Sequence, residues 1–308
     1  MRTCVVHIHK TTINIRHCKR SPHHARQNSK ARQHRLAQAR DPAQRALHQH
    51  RSPLRPILPV PPAAAPPHAR PPNARAPSWK LSASDEWSCA LHGRILTLRQ
   101  DATHLHYRAT FPGAVAADDT AALLHDYFNL AVPLAALYTT WAARDPVFAA
   151  TTLTRFHGIR ILRQDPWENL VSFICSSNNH ISRISGMVQN LCKGWGRAIP
   201  AEDGGDVYYD FPEPAVLAAV VGLEARLREL GFGYRAGYIA KAAKMVVDDH
   251  EEGWLEGLRK LPYKEAKEAL ITLPGVGPKV ADCVCLMSLD KMEAVPVDTH
   301  GREFPSIS

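Results

Sequence analysis

The first eighty residues are nearly empty of two residue types that a folded domain uses. They hold one acidic residue, Asp41, and one aromatic, Trp79. The same stretch carries 16 lysines and arginines, nine of the chain's 17 histidines and half of its 24 prolines. A segment this poor in aromatic side chains and this rich in proline and like charge cannot bury enough apolar surface to offset its ordering entropy. Residues 1–80 are therefore expected to be a disordered, basic, Pro/His-rich tail, most plainly from Pro59 to Pro77. Two other readings stay open at this point: an Arg-rich, acid-poor transit peptide, or translated non-coding sequence. The scarcity of acid also redistributes the net charge of +9: the tail holds +15, and the remaining 228 residues hold −6. Binding of nucleic acid by the body must then come from local geometry and not from a broad positive field.

Long apolar runs are also missing. No stretch approaches the roughly 18 consecutive apolar residues that a membrane crossing requires, and no hydrophobic signal-peptide core stands at the N-terminus, so no membrane partner is expected. The seven cysteines (4, 18, 89, 175, 192, 283 and 285) include no Cys-x-x-Cys pair. Their odd number and scatter point to reduced thiols in an intracellular protein, and no metal-ligand set is read from them.

Ordered structure is expected from near Trp87. Trp87–Leu91 and Arg94–Arg99 read as strands joined by a turn at His92-Gly93, and His104–Ala109 alternates well enough for a third. From Asp118 the pattern turns helical. Asp118-Asp119-Thr120 precedes Ala121–Leu130, Pro133 restarts a helix through Trp141, and Asp145-Pro146 opens another ending near Gly158. Asp165-Pro166 starts a strongly apolar helix. Further helices are expected at Ile181–Cys192, Glu213–Val221, Glu224–Leu230, Tyr234–Asp248, Gly253–Lys260, Tyr263–Leu273 and Val280–Leu289. The fold class is α+β: a small antiparallel sheet domain at 81–155, then a mainly helical domain at 156–300, with an irregular tail at 301–308.

One stretch carries chemistry. Leu273-Pro-Gly-Val-Gly-Pro-Lys279 leaves room only for a tight turn between two helices, and Pro278 suits the first position of the second. This is a helix-hairpin-helix, whose exposed amides and glycine-permitted close approach make an anion site suited to a phosphate. Lys279 is electrostatically misplaced there, since a helix N-terminus favours anions. Two readings follow: a charged lysine touching phosphate, or a neutral amine acting as a nucleophile that forms a Schiff base. Asp298, in Val-Pro-Val-Asp-Thr-His300, either caps a helix beginning at Thr299 or stabilises positive charge and accepts the lysine proton. Cys283 lies one turn from Lys279, as a buried structural thiol or a neighbour of the amine. Ser176–His180 is a surface turn or a loop that enters a duplex. Tyr234, in Leu-Gly-Phe-Gly-Tyr-Arg235, is a core aromatic or a wedge that unstacks DNA.

Four blocks together, Asp-Pro-Trp-Glu…Phe-Ile-Cys-Ser-Ser-Asn-Asn, Leu-Gly-Phe-Gly-Tyr-Arg-Ala, LPGVGPKVADCVCLMSLDK and AVPVDTH, resemble the eukaryotic 8-oxoguanine DNA glycosylases of the helix-hairpin-helix, Gly-Pro-Asp superfamily, over residues 86–300. The resemblance implies a monomeric, bifunctional glycosylase and apurinic-site lyase that acts on 8-oxoguanine opposite cytosine in double-stranded DNA, in the nucleus or the mitochondrion. It implies that Lys279 attacks the sugar C1′ and that Asp298 assists. Asn178 would fill the gap, Arg183 read the opposite cytosine and Tyr234 wedge the stack. Gly275, Gly277 and Val280 would offer amides to a phosphate that His300 also contacts, and Cys283 would form a wall of the base pocket. No cofactor is implied, though the hairpin carbonyls of such motifs hold a monovalent or calcium ion.

Two parts of the family pattern have no counterpart here. A Gln-Ser-Phe-Arg-Trp block, with a glycine carbonyl that reads the lesion, does not precede Trp87. Helices that follow the Pro-Val-Asp-x-His motif, and supply an aromatic that stacks on the flipped base, do not follow His300. The lyase chemistry is expected to be carried and the damage pocket to be incomplete, with exposed apolar surface on the sheet domain as a consequence. A non-catalytic DNA-binding form and a glycosylase for another oxidised base are the alternatives. An iron–sulfur relative is excluded, because it would need four closely spaced cysteines.

Overall fold

The computed structural model describes residues 79–81, 86–101, 104–113, 117–152, 158–201 and 205–297, together with the backbone of three short strands nearer the N-terminus. Those strands are Val6–His9 (β1), Thr12–Asn14 (β2) and Arg55–Pro59 (β3). They fall within the stretch read as a disordered tail. Each is built on β-branched residues or short apolar alternation, a local preference that composition averages away.

The N-terminal half is organised by an antiparallel sheet with strand order β3-β7-β6-β5-β4, where β4 is Lys80–Leu81, β5 Trp87–Leu91, β6 Arg94–Gln100 and β7 His104–Thr110. The three expected strands are its centre. His92 and Gly93 both lie at positive φ, 47° and 77°, the backbone of a two-residue hairpin turn whose twist matches its strands. The register pairs Cys89 with Leu96 and Leu98 with Tyr107. Those side chains form one core with Leu124, Tyr127 and Phe128 of the helix Thr120–Tyr127 (α1) and its end. Trp79, inside the expected tail, is tied to this core: its Nε1 donates to the Tyr127 hydroxyl at 3.3 Å. The cap of α1 comes from Asp118, whose Oδ1 accepts the Thr120 amide at 3.0 Å, because the Asp119 carboxylate is drawn to Arg94 at 2.5 Å instead.

Leu134–Arg144 (α2) follows, and Asp145 Oδ1 accepts the Val147 and Phe148 amides at 2.8 and 3.0 Å to open a π-helical turn at Phe148–Thr152. The domain boundary expected at 155/156 lies outside the described residues. Beyond it, a short strand, Ile159–Arg160 (β8), leads to the helical half. Its helices are Pro166–Ser176 (α3), Ile181–Trp195 (α4), Pro214–Ala218 (α5), Leu223–Glu229 (α6), Arg235–Asp248 (α7), Trp254–Gly257 (α8), Tyr263–Ile271 (α9) and Pro278–Ser288 (α10). The start of α3 is specified by sequence: Asp165 accepts the Glu168 amide at 2.8 Å and Pro166 fills the first turn. A hairpin of Ala198–Pro200 (β9) and Val207–Tyr209 (β10) separates α4 from α5 and was not expected. The helical core is built around fully buried Leu170, Ile174, Phe232, Ile239, Leu270 and Val284.

Arg163 joins the two halves. Its guanidinium donates to both Asp126 oxygens of α1 at 2.7 Å and to both Asp290 oxygens just past α10 at 2.7 and 2.9 Å. The bidentate bond to Asp290 is the leading cause holding that carboxyl below its ordinary range. Beside it, the Gln164 amide donates to Met287 O at 2.8 Å and Arg259 Nε to Ser288 O at 2.8 Å, so the last carbonyls of α10 are held from both sides.

Candidate active site and nucleic-acid interface

The hairpin forms as its spacing predicts. Helix α9 closes with the Leu273 amide on Leu270 O at 3.1 Å, and the turn closes with the Val276 amide on Leu273 O at 3.1 Å. The two glycines have different reasons to be there. Gly275 lies at φ 82°, and a Cβ on it would meet the Tyr238 ring at 2.7 Å. Gly277 has ordinary extended backbone, φ −91° and ψ 176°, and a Cβ there would point into open space. That open space lies in front of the first amides of α10, where a phosphate would approach.

Lys279 sits in the first turn of α10, half-buried, with Nζ 5.3 Å from the centroid of the Phe173 ring. Phe173 is on α3, which is fixed against α10 by the Asn169 side chain donating to Ser288 Oγ at 2.7 Å. Val280 and Cys283 are buried, at 6% and 2% exposure, and Cys285 belongs to the core. Asp298 and His300 lie outside the described residues.

Asn178, Arg183 and Tyr234, distant in sequence, are brought to one edge. Asn178 lies just past the end of α3, in the left-handed region at φ 46°. The Tyr234 hydroxyl donates to Ser177 O at 3.2 Å, and Arg183 Nη2 donates to Gly231 O at 2.9 Å. Tyr234 meets Tyr238 edge-on at 5.9 Å between ring centroids, and Tyr238 packs on Gly275. A continuous strip therefore runs from Asn178 and Tyr234 across Tyr238 to the hairpin glycines and Lys279.

Two groups that shape this strip were missed in the sequence. Arg235 is buried, donates to the carbonyls of Ser177 and Asn178, and lies 4.5 Å over the Tyr234 ring, tying both loops together. Asp282 is buried within the hairpin. It accepts the Tyr263 hydroxyl at 2.5 Å and the Lys267 ammonium at 3.0 Å, and so links the two hairpin helices. The bond to Asp282 is the first cause raising both the Tyr263 and the Lys267 pKa. The i, i+4 spacing of Tyr263 and Lys267 was a visible signal; their partner on the next helix was not. Among the described residues no group of three or more His, Cys, Asp or Glu could hold a metal ion.

A sheet-bearing unit followed by a helix-hairpin-helix with a lysine at its mouth defines a class, the superfamily of base-excision DNA repair proteins, and its family model matches residues 171–304. The 8-oxoguanine DNA glycosylase N-terminal domain matches residues 74–170, and the chain belongs to the 8-oxoguanine DNA glycosylase family. It is 46% identical over 186 residues to the N-glycosylase/DNA lyase of Saccharomyces cerevisiae, covering 58% of this chain. It is 39% identical over 229 residues to N-glycosylase/DNA lyase OGG1 of Arabidopsis thaliana, covering 72% of this chain. The chain spans 48% of the yeast protein's length and 60% of the plant protein's. The solved structure of MBOgg1 in complex with a low-affinity DNA ligand superposes with a TM-score of 0.64 at 32% identity, over 72% of each chain.

Proposed function

We propose that this protein is a bifunctional DNA glycosylase and apurinic-site lyase that removes 8-oxoguanine opposite cytosine, with Lys279 as its nucleophile. The observation that carries this reading is the strip itself: a lysine at the mouth of an anion-binding hairpin, continuous with a loop edge that presents Asn178, Arg183 and Tyr234. An enzyme that must reach C1′ has to take the nucleotide out of the stack. The strip supplies a clamp for the backbone, a wedge, and a filler for the vacated space.

In this reading Lys279 Nζ, having given up its proton, attacks C1′ as the glycosidic bond breaks and its electron pair leaves with the protonated base. Asp298 accepts the lysine proton or stabilises the cationic C1′. The nitrogen lone pair then expels O4′, which takes up a proton as the sugar ring opens, and C1′ becomes an iminium that acidifies C2′; loss of that proton expels the 3′ phosphate by β-elimination, and hydrolysis frees the lysine. Cys283 walls the base pocket, and the amides of Gly277 and Val280 hold the adjacent phosphate with His300. The Leu273 carbonyl accepts one amide and keeps a second lone pair, which fits a monovalent or calcium ion at the hairpin. The protein would act as a monomer, in the nucleus or the mitochondrion.

The test is borohydride trapping. Wild type should yield a covalent band on a denaturing gel with an 8-oxoguanine:cytosine duplex, and Lys279→Gln should yield none. A band that survives Lys279→Gln refutes the nucleophile. A band on abasic DNA but not on the lesion assigns the lyase step alone, and duplex binding with no band on either assigns a non-catalytic DNA-binding form.

A further inference from the structure

The geometry points to a second phosphate contact, made by Tyr238 and Lys241 on the exposed face of α7, which extends the duplex track beyond the hairpin. This rests on the DNA-binding reading above. Tyr234, Tyr238 and Lys241 follow one another at helical spacings of four and three residues, so they share one face. All three are exposed, and the two tyrosines together form a large aromatic surface that core packing does not explain. The face is aligned with the hairpin because Tyr238 lies directly on Gly275: the absence of a side chain at 275 lets the ring sit flush with the turn. From Tyr234 to Lys241 the helix rises about 10 Å, roughly three nucleotide steps along one DNA strand.

Charge selects the occupant. Residues 81–308 are net acidic, so a polyanion can approach only where positive groups are concentrated. Lys241 lies one turn beyond Tyr238, the residue that packs on the hairpin's Gly275, while Glu224 lies against the Gly237 flank of the same helix. There Arg228 donates to it at 3.0 and 2.7 Å and neutralises it. An aromatic pair followed by one lysine, in line with an anion-binding turn, suits a sugar–phosphate strand better than an acidic peptide, because the tyrosines can lie along sugars while the ammonium meets one phosphate.

The experiment is duplex binding by fluorescence anisotropy across a salt series, with a duplex carrying a reduced abasic analogue that cannot be cleaved. Losing one phosphate contact should reduce the slope of log K against log salt by about 0.9 and weaken binding up to about eightfold at 0.1 M salt. Lys241→Ala should show this loss and Lys241→Arg should restore it; Tyr238→Leu should weaken binding without changing the slope. Melting temperature should be unchanged in both lysine variants, since the side chain is exposed. An unchanged slope in Lys241→Ala overturns the proposal while leaving the trapping reaction of Lys279 untouched. A wild type that binds no duplex refutes the DNA reading itself. Normal duplex binding by Lys241→Ala with loss of binding to an acidic peptide would assign the face to a protein partner and overturn the proposal.

Discussion

Replacing Asp282 with asparagine should lower the melting temperature by about 4–8 °C, and the size of the drop follows from the contacts. The carboxylate is 9% exposed, accepts the Tyr263 hydroxyl at 2.5 Å, and lies 2.8 Å from the Lys267 ammonium. An amide of the same shape keeps an acceptor for the tyrosine but not the charge. One hydrogen bond to a charged group is thereby lost, about 1.5–3 kcal/mol. Lys267 is 27% exposed, so water recovers part of its solvation, leaving roughly 2 kcal/mol. In a body of this size each kcal/mol moves the midpoint by roughly 2–4 °C. Thermal melts followed by circular dichroism check the value. A cycle with Lys267→Met should show the two changes adding to less than their sum by about 1 kcal/mol or more. The same interaction fixes the alkaline limb of stability. Lys267 and Tyr263 both have raised folded pKa values, so what they contribute is fully present below their unfolded values, near 10, and is lost as pH rises through the folded ones. The melting temperature of wild type should therefore fall more steeply above pH 10 than that of Asp282→Asn. A drop below about 1 °C at neutral pH, or parallel alkaline limbs, would refute the reasoning.

Two further outcomes are expected. Gly275→Ala should destabilise by roughly 2–4 kcal/mol, from a left-handed backbone and a methyl against the Tyr238 ring, whereas Gly277→Ala should leave the melt within about 0.5 kcal/mol and weaken duplex binding in the anisotropy assay; the reverse pattern would contradict the separate roles given to the two glycines. Burial, with the charges of Asp165 and Asp210 behind it, pushes the Glu168 carboxyl up to about 8. A raised carboxyl favours the folded state below its unfolded pKa, near 4.3, and loses that advantage as pH rises toward 8, so Glu168→Gln should match wild type in melts at pH 5 and exceed it at pH 9; a difference that does not change with pH would sink the assignment.

Much of this was readable from local sequence, because local rules fixed it. The His92-Gly93 turn, the Asp165-Pro166 helix start and the Leu273–Lys279 hairpin each depend on a few neighbouring residues. The β9–β10 hairpin was not legible, since its three-residue strands are shorter than the pattern that identifies a strand. The helix expected at Glu213–Val221 stops at Ala218, and Gly222, at φ 70°, starts the next. Arg235 escaped notice because arginine is ordinarily an exposed residue, and only the fold shows three carbonyls converging on it. The links from Arg163 to Asp126 and Asp290 span 37 and 127 residues, a pairing that no local pattern specifies.

The fastening of α10 at Met287, Ser288 and Asp290 makes that helix a lever with its pivot at one end and Lys279 at the other. From Lys279 to Ser288 it is about 14 Å long. A rotation of four degrees about the pivot would carry the amine by about 1 Å, enough to spoil the near-attack geometry proposed for it. Substitutions in the sheet-bearing half that reach Asp126 can thus detune the amine from a distance, without touching anything near it. Under the mechanism proposed for Lys279, variation in α1 would be read out at the scissile bond.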